Sequence, residues 1–294
     1  MNAATMAECE YCLEGNDLNL TDQMKCDYNK NGYLIVRGLL NDAELQQLHI
    51  TLEGSDAITK HRYGFSDGEG KKTQMALWSY PGDDVTGVIA RSEKVLGTCQ
   101  ELLGGGELYH FESKLMMKEA RTGGKHLWHQ DYGYWYNNGC LFPDLITVFV
   151  AYDRATTENG CLEIMPGSHK CGRIDHLMIA GQTGADIDRV HAIQQKCPPI
   201  HVEMEPGDAL FFHSNLLHTS AGNDSDKRRW SVLVSYNRTD NDAVLDHPFG
   251  KLNKLVKVRN EDILKCRNYT NMDGKEFLDP RNDANIVLDD SVSQ

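Results

Sequence analysis

The pattern of apolar and polar residues changes its period near residue 107. Before that point apolar residues recur at helical spacing, most regularly over residues 85–103, where they fall on one helical face. The stretch NDAE at 41–44 is typical of a capped helix start, and GYLIVRG at 32–38 predicts a short strand. We therefore expect residues 1–105 to be mainly helical.

From residue 107 onward the alternation has the period of two that is typical of strands. One face would carry Tyr109, Phe111, Leu115 and Met117, and the other His110, Glu112, Lys114, Met116 and Lys118. Further strand candidates, separated by Gly, Pro and Asn turns, lie at 145–152, 161–165, 200–204, 209–213 and 230–236. Short strands in succession without intervening helices predict a mainly β antiparallel jelly roll with flanking helices.

The whole chain, residues 1–294, reads as a single domain. The jelly-roll core would occupy residues 107–238, with a long excursion at 171–199 between strands. A polar C-terminal tail, residues 239–294, shows a weak helical pattern near residues 252–256.

Composition narrows the class of function. The formal charge of −13 disfavours nucleic acid as a partner, because phosphate backbones are repelled by an acidic surface. No apolar run is long enough to span a bilayer, and no targeting signal is visible, so we expect a cytoplasmic protein with a small-molecule substrate. Nine cysteines in such a chain indicate free thiols. Oligomeric state is left open.

A candidate metal site lies in the stretch WHQD. His129 and Asp131 are two residues apart, so in an extended segment both side chains point to one side. Two other pairs have the same form, His110 with Glu112 and His201 with Glu203, but they lie inside predicted strands. The WHQD pair instead follows a glycine-containing loop, where functional residues concentrate.

A ferrous centre of two histidines and one carboxylate needs a second histidine. His218 is the best candidate, since Arg229 follows eleven residues later; His213 is its competitor. Such a centre leaves sites for bidentate 2-oxoglutarate and for dioxygen, and a permanently charged arginine suits the distal carboxylate. Ser220 could donate to the same carboxylate. The alternative for Arg229 is a surface turn paired with nearby aspartates.

With these residues the chain resembles the phytanoyl-CoA dioxygenase family of iron(II)- and 2-oxoglutarate-dependent oxygenases. The matching pieces are WHQD at 128–131, ENGCLEIMPGSH at 158–169, PGDALFF at 206–212, and His218 with Ser220 and Arg229. The resemblance implies a double-stranded β-helix, a form of jelly roll. It also implies hydroxylation with release of succinate and CO2, because the carboxylate of Asp131 is present where related halogenating enzymes have a small residue.

Carried over by position, the resemblance makes His129, Asp131 and His218 the Fe(II) ligands. Arg229 and Ser220 would bind 2-oxoglutarate, Met116 and Phe149 would form apolar walls around it, and Gln130 would also contact it. O2 is the second cosubstrate.

The aromatic run at 132–136 looks more like the small-solute branch of the family, of which ectoine hydroxylase is an example. Lys114 and Arg173 would anchor a substrate carboxylate, and Tyr134 and Trp135 would face a substrate cation. The alternative is that the same rings pack on each other as a lid. Three alternatives remain: a non-catalytic jelly-roll binding protein, a cupin-like enzyme that does not use 2-oxoglutarate, and an oxygenase acting on an acyl-CoA or lipid.

Overall fold

A computed structural model of the chain describes residues 9–179, 182–247, 250–279 and 281. These residues form fifteen strands and seven α-helices. The strands are β1 (Glu10–Cys12), β2 (Tyr33–Arg37), β3 (Tyr63–Ser66), β4 (Lys72–Ser79), β5 (Leu108–Lys118), β6 (His126–His129), β7 (Leu145–Ala151), β8 (Leu162–Ile164), β9 (His176–Ile179), β10 (Gln182–Ala185), β11 (Ile200–Val202), β12 (Ala209–His213), β13 (His218–Ser220), β14 (Arg229–Arg238) and β15 (Glu276–Phe277). The α-helices are α1 (Asp22–Asn31), α2 (Asp42–Glu53), α3 (Val85–Arg91), α4 (Thr98–Leu102), α5 (Asp131–Asn137), α6 (Ile187–Gln194) and α7 (Asp262–Lys265).

Two sheets form the core of the molecule. The large sheet has the order β1-β2-β12-β7-β14-β5-β4-β15, with β3 added on β4, and the small sheet has the order β11-β8-β13-β6. Strand β7 (LITVFVA) is buried along its whole length, as expected for a central strand that is covered on both faces. The pairing around it is antiparallel, as a jelly roll requires.

The N-terminal third contains helices, as its periodicity predicts, together with four strands, of which only the one near 32–38 was expected. Strands β1 to β4 all join the large sheet. The predicted strand at 32–38 and the capped helix that follows it are present, with Asn41 and Glu44 forming the capping box of α2. Local signals for β3 and β4 were too weak to find, because their sequences, YGFS and KTQMALWS, mix polar and apolar residues without a regular alternation.

The predicted long helix over 85–103 is broken. Ser92 adopts an extended backbone conformation at the end of α3, and a π-helical stretch, Glu93–Gly97, precedes α4. The apolar positions are nevertheless buried, so the helical periodicity correctly predicted which side chains face inward. The C-terminal tail is likewise part of the fold: the Lys275 ammonium lies 2.7 Å from the Asp84 carboxylate, and both groups are fully buried. The pattern near 252–256 does not form a helix.

Strand β5 contains a register shift that changes which residues share a face. Its pairing with β14 skips Phe111, between Glu112 and His110. Such a bulge reverses the alternation, so Phe111 packs against Trp135 on the inner side and His110 bonds Ser113 on the other. The predicted faces are therefore correct only from Glu112 to Lys118.

Candidate metal centre

Three side chains from two strands and a helix meet in the small sheet. His129 ends β6, Asp131 begins α5, and His218 begins β13. His129 and His218 are paired across the antiparallel ladder, and their ring centroids lie 4.0 Å apart. One ligand atom from each of the three residues lies within 4.8 Å of those from the others, and all three side chains are buried.

Hydrogen bonds orient both imidazoles toward a common point. His129 Nδ1 lies 2.7 Å from the Leu127 carbonyl oxygen, and His218 Nδ1 lies 2.9 Å from that of Leu216. Because a carbonyl only accepts, each Nδ1 carries the proton and each Nε2 presents a lone pair. The two Nε2 atoms lie 4.0 and 3.9 Å from Asp131 Oδ1.

The other carboxylate oxygen of Asp131 is fixed by a hydrogen bond from a neighbouring strand. Thr147, on β7, donates its hydroxyl to Asp131 Oδ2 at 2.8 Å and lies 3.0 Å from the Ser235 hydroxyl. Burial lowers the pKa of His129 well below its ordinary value, and it also lowers the pKa of His218. Two neutral imidazoles beside a carboxylate form a donor set that suits a divalent transition metal and leaves other coordination positions open.

A cationic recess lies in the same cavity. Arg229 is 3 % exposed; it donates to the Gly160 carbonyl at 2.8 Å and to Ser231 Oγ at 3.2 Å. Its Nε has no hydrogen-bond acceptor among the residues that the structure describes. Ser220 also lines this recess, and its hydroxyl accepts a hydrogen bond from Lys118 Nζ at 2.9 Å.

Lys118 and Arg229 lie opposite each other in the β5–β14 ladder, and both are buried. Within the described part of the chain, neither forms an ion pair with a carboxylate. Burial lowers the pKa of Arg229 to about 10, and burial together with the Arg229 charge lowers the pKa of Lys118 well below its usual range. Unpaired buried cations are unfavourable, so the recess is suited to an anionic ligand.

A glycine allows this part of the chain to pack closely. Gly160 has φ +79°, a conformation that disfavours a side chain, and an added Cβ would lie 2.4 Å from the Ala221 carbonyl oxygen. The same carbonyl accepts a hydrogen bond from Lys118. The Glu158-Asn159-Gly160 turn therefore brings the Gly160 carbonyl within reach of Arg229.

The rest of the cavity has an apolar part and a charged part. Met116 and Phe149 line it near the recess, with Arg229 Cζ 5.7 Å from the Phe149 ring centroid. Farther along the inner face of β5 lie Lys114 and Glu112, whose charged groups are 2.6 Å apart.

The aromatic run is a helix, α5, and not a loop. Tyr134 lines the cavity, and its hydroxyl donates to the Thr183 carbonyl at 2.6 Å, which joins α5 to β10. Trp135 is buried and lines the cavity from beside Phe111. Tyr132 packs inward, whereas Tyr136 is 41 % exposed. The run therefore contains both a packed ring, Tyr132, and a ring in the cavity wall, Tyr134.

Two candidate residues lie outside the cavity. The Gln130 side chain is fully buried; its amide donates to the carbonyls of Gly172 and Asn215 and accepts from the Ile174 amide, so no group remains for a ligand. Arg173 pairs with Asp175 at 2.8 Å and lies over the Tyr136 ring. Neither position fits the binding role expected for it.

The competing metal residues are also separated. His110 is buried on the outer face of β5, and burial lowers its pKa to about 3. His201 is exposed on β11, and His213 contacts His169. The surface-turn alternative is wrong for Arg229, which is buried, and the neighbouring Arg228 pairs with Glu53 and Asp153 and not with the nearby Asp224 or Asp226.

Four residues of this site were missed from the sequence. Glu112 and Lys118 share the inner face of β5 with Lys114 and Met116, so the period of two was a usable signal. Thr147 is a polar residue within the apolar run of β7, which was a weaker signal. His126 also lines the cavity. The pairing of β6 with β13 is irregular there, since three residue steps along β6 (His129 to His126) span the same distance as two along β13 (His218 to Ser220), and no local pattern indicates this.

Known proteins are similar to this chain over most of its length. A family model described as phytanoyl-CoA dioxygenase matches residues 28–231. An L-proline trans-4-hydroxylase of Streptomyces griseoviridis is 28% identical over 235 residues, covering 74% of this chain and 86% of that protein. An ectoine dioxygenase of Streptomyces avermitilis is 26% identical over 265 residues, covering 83% and 85%.

The fold is shared with a solved structure. EctD from S. alaskensis, crystallised with 2-oxoglutarate and 5-hydroxyectoine, superposes with a TM-score of 0.68 at 19% identity, over 86% of this chain and 92% of that one. This likeness confirms the predicted jelly roll.

Proposed function

Because the chain belongs to the phytanoyl-CoA dioxygenase family, we propose that it is an iron(II)- and 2-oxoglutarate-dependent dioxygenase that hydroxylates a small organic molecule. One observation carries the proposal: two neutral histidines with a carboxylate, and a buried cationic recess, line the same cavity. The relatives named as hydroxylase and dioxygenase support it.

The donor set fits ferrous iron. His129 and His218 would hold the ion through Nε2 and Asp131 through Oδ1, while Thr147 keeps the other carboxylate oxygen occupied. Bound iron with 2-oxoglutarate supplies oxidation of a C–H bond by O2, with release of succinate and CO2.

The protein's own contribution is binding and orientation. Arg229 would donate to the distal carboxylate of 2-oxoglutarate, and the free Nε and the open side of its guanidinium suit a planar acceptor. Ser220 accepts from Lys118, so its own hydroxyl hydrogen is available to the same carboxylate. Met116 and Phe149 exclude water from the carbon chain between the two ends.

The substrate would enter at the opposite end of the cavity, among Lys114, Tyr134 and Trp135. The relatives that are named for proline and ectoine support a small substrate at this end. We also propose, from the composition of the chain, that the protein works as one domain in the cytoplasm. Among the described residues no helix is long and apolar enough to cross a membrane.

The test is anaerobic titration of iron(II) and then 2-oxoglutarate into metal-free protein, monitored by the weak visible charge-transfer band of chelated 2-oxoglutarate. We expect the band in the wild type, no iron binding in His129→Ala, and iron binding without the band in Arg229→Ala. His201→Ala is the matched control, because that histidine is exposed on β11.

The alternatives give different results. Iron binding without the band in the wild type would favour a cupin-like enzyme, and would contradict the proposal. The band without any succinate in air would favour a binding protein. A complete oxygenase site forms succinate slowly even without its substrate.

A further inference from the structure

Two opposite charges lie side by side at the end of the cavity that is away from the cationic recess. Lys114 Nζ and Glu112 Oε1 are 2.6 Å apart. The Glu112 side chain is 6% exposed and that of Lys114 is 20% exposed. Leu77, Leu233 and Trp135 line the cavity around them. Both residues point inward because they are two positions apart on β5, beyond its bulge.

This pair shares its cavity with the candidate metal centre. Glu112 and Lys114 line the same cavity as His129, Asp131 and His218. A group bound at Lys114 would therefore lie in the cavity in which oxidation would occur. Met116 separates the pair from Lys118 along the same strand face, so the cosubstrate end and this end are distinct.

A partly buried ion pair is a poor way to stabilise a cavity wall. The two charges lose much of their hydration, and apolar residues of similar volume commonly give equal or greater stability. In a cavity, however, such a pair selects its ligand. A molecule with a single charge is attracted by one member of the pair and repelled by the other, whereas a zwitterion is matched by both.

We propose that the substrate is a zwitterion, with its carboxylate bound by Lys114 and its ammonium group bound by Glu112, so that Glu112 is a specificity-determining residue. This inference rests on the proposed function. Because the two protein charges are 2.6 Å apart, the two substrate groups must also be close, on the same or neighbouring carbon atoms. The substrate class is therefore an α- or β-amino acid, with the remaining side chain directed toward the metal centre.

The test measures succinate formed above the basal rate by the iron-loaded protein with 2-oxoglutarate. The probes are the twenty standard amino acids, the amines formed by their decarboxylation, the carboxylic acids that lack the amino group, and one acyl-CoA. We expect at least one amino acid to stimulate succinate formation, and its amine and its acid to be at least tenfold weaker.

Two variants assign the charges separately. In Glu112→Gln the preference for the amino acid over the matching carboxylic acid should fall about tenfold. In Lys114→Gln the preference over the matching amine should fall by a similar factor. Glu163→Gln, on β8, is the matched control: its neighbours Leu162 and Ile164 face inward, and it lies outside the cavity.

The anaerobic charge-transfer band with 2-oxoglutarate is recorded for every variant. An unchanged band shows that a variant is folded and binds cosubstrate, and perturbation of the band by a probe measures substrate binding without turnover. The inference is overturned if singly charged probes or the acyl-CoA stimulate as well as amino acids, if no amino acid stimulates, or if Glu112→Gln keeps the wild-type preference. Loss of the band in the wild type would instead overturn the proposed function, and this inference with it.

Discussion

Replacing Arg229 with methionine tests whether its charge is kept for a ligand or for stability. The side chain is buried, and burial holds its pKa at about 10, against an ordinary value of 12.5. One pKa unit corresponds to about 1.4 kcal/mol, so keeping the charge at neutral pH costs the folded protein on the order of 3 kcal/mol. This cost applies at every pH below 10, where the arginine is charged in both the folded and the unfolded state.

The hydrogen bonds of Arg229 offset part of this cost. It donates to Gly160 O and to Ser231 Oγ, and hydrogen bonds of this kind contribute about 1 kcal/mol each. Methionine has a similar length and fills much of the same volume. We therefore expect Arg229→Met, without ligand, to unfold at a free energy within about 1 kcal/mol of the wild type, on the stable side.

With 2-oxoglutarate the order should reverse. The wild type gains stability with ligand concentration through mass action, and the variant should gain little, because we expect its affinity to fall at least a hundredfold. Thermal unfolding with and without 2-oxoglutarate, together with calorimetric titration, measures both quantities. If the unliganded variant loses more than about 3 kcal/mol and still binds 2-oxoglutarate normally, Arg229 is a structural residue and the reasoning is wrong.

Three further predictions address other parts of the molecule. Thr147→Val removes the donor to Asp131 Oδ2 and should weaken iron(II) binding about 10- to 100-fold by competition with a chelator, whereas Thr157→Val, on the surface, should not. Lys94→Met leaves Glu44 buried without its cation and should cost about 3–5 kcal/mol in denaturant unfolding; the double variant with Glu44→Gln should recover much of the loss, and failure to do so would contradict the pairing argument. His110 is neutral in the folded state because its pKa is about 3, so its contribution to stability is complete above pH 6.5 and is lost as the pH falls toward 3. Stability curves of His110→Gln should therefore fall less steeply over that range, by at most about 1.4 kcal/mol per pH unit, and an unchanged slope would show that His110 is protonated in the native state.

The sequence was most informative where one local rule decides the outcome. The apolar run of β7, the capping box at Asn41 and the Pro-Gly turn before β12 each follow from nearby residues, and the predicted strands lie within a residue or two of those observed. The grouping of His129, Asp131 and His218 was also predicted, although Asp131 begins a helix rather than continuing a strand. The roles of these residues stay predictions until metal binding is measured.

The parts that could not be predicted depend on contacts between distant segments. The Gln130 amide is occupied by carbonyl and amide groups some 40 to 85 positions away in the chain, which its neighbours do not reveal. Arg173 is drawn away by Asp175 and Tyr136. Strand β4 pairs with β5, and β3 pairs with β4, and the periodicity of these two segments does not indicate either pairing.

The bulge in β5 also bears on how this protein can change its length. The register shift at Phe111 separates the first three residues of the strand from the longer part that carries Glu112, Lys114 and Met116. Insertions or deletions before the bulge would be absorbed by the irregular pairing and would leave the three cavity residues facing inward. A one-residue change after it would turn them all to the opposite side. Chimeras between related chains should therefore be joined before residue 111, where segments of unequal length can be exchanged without rotating the binding surface.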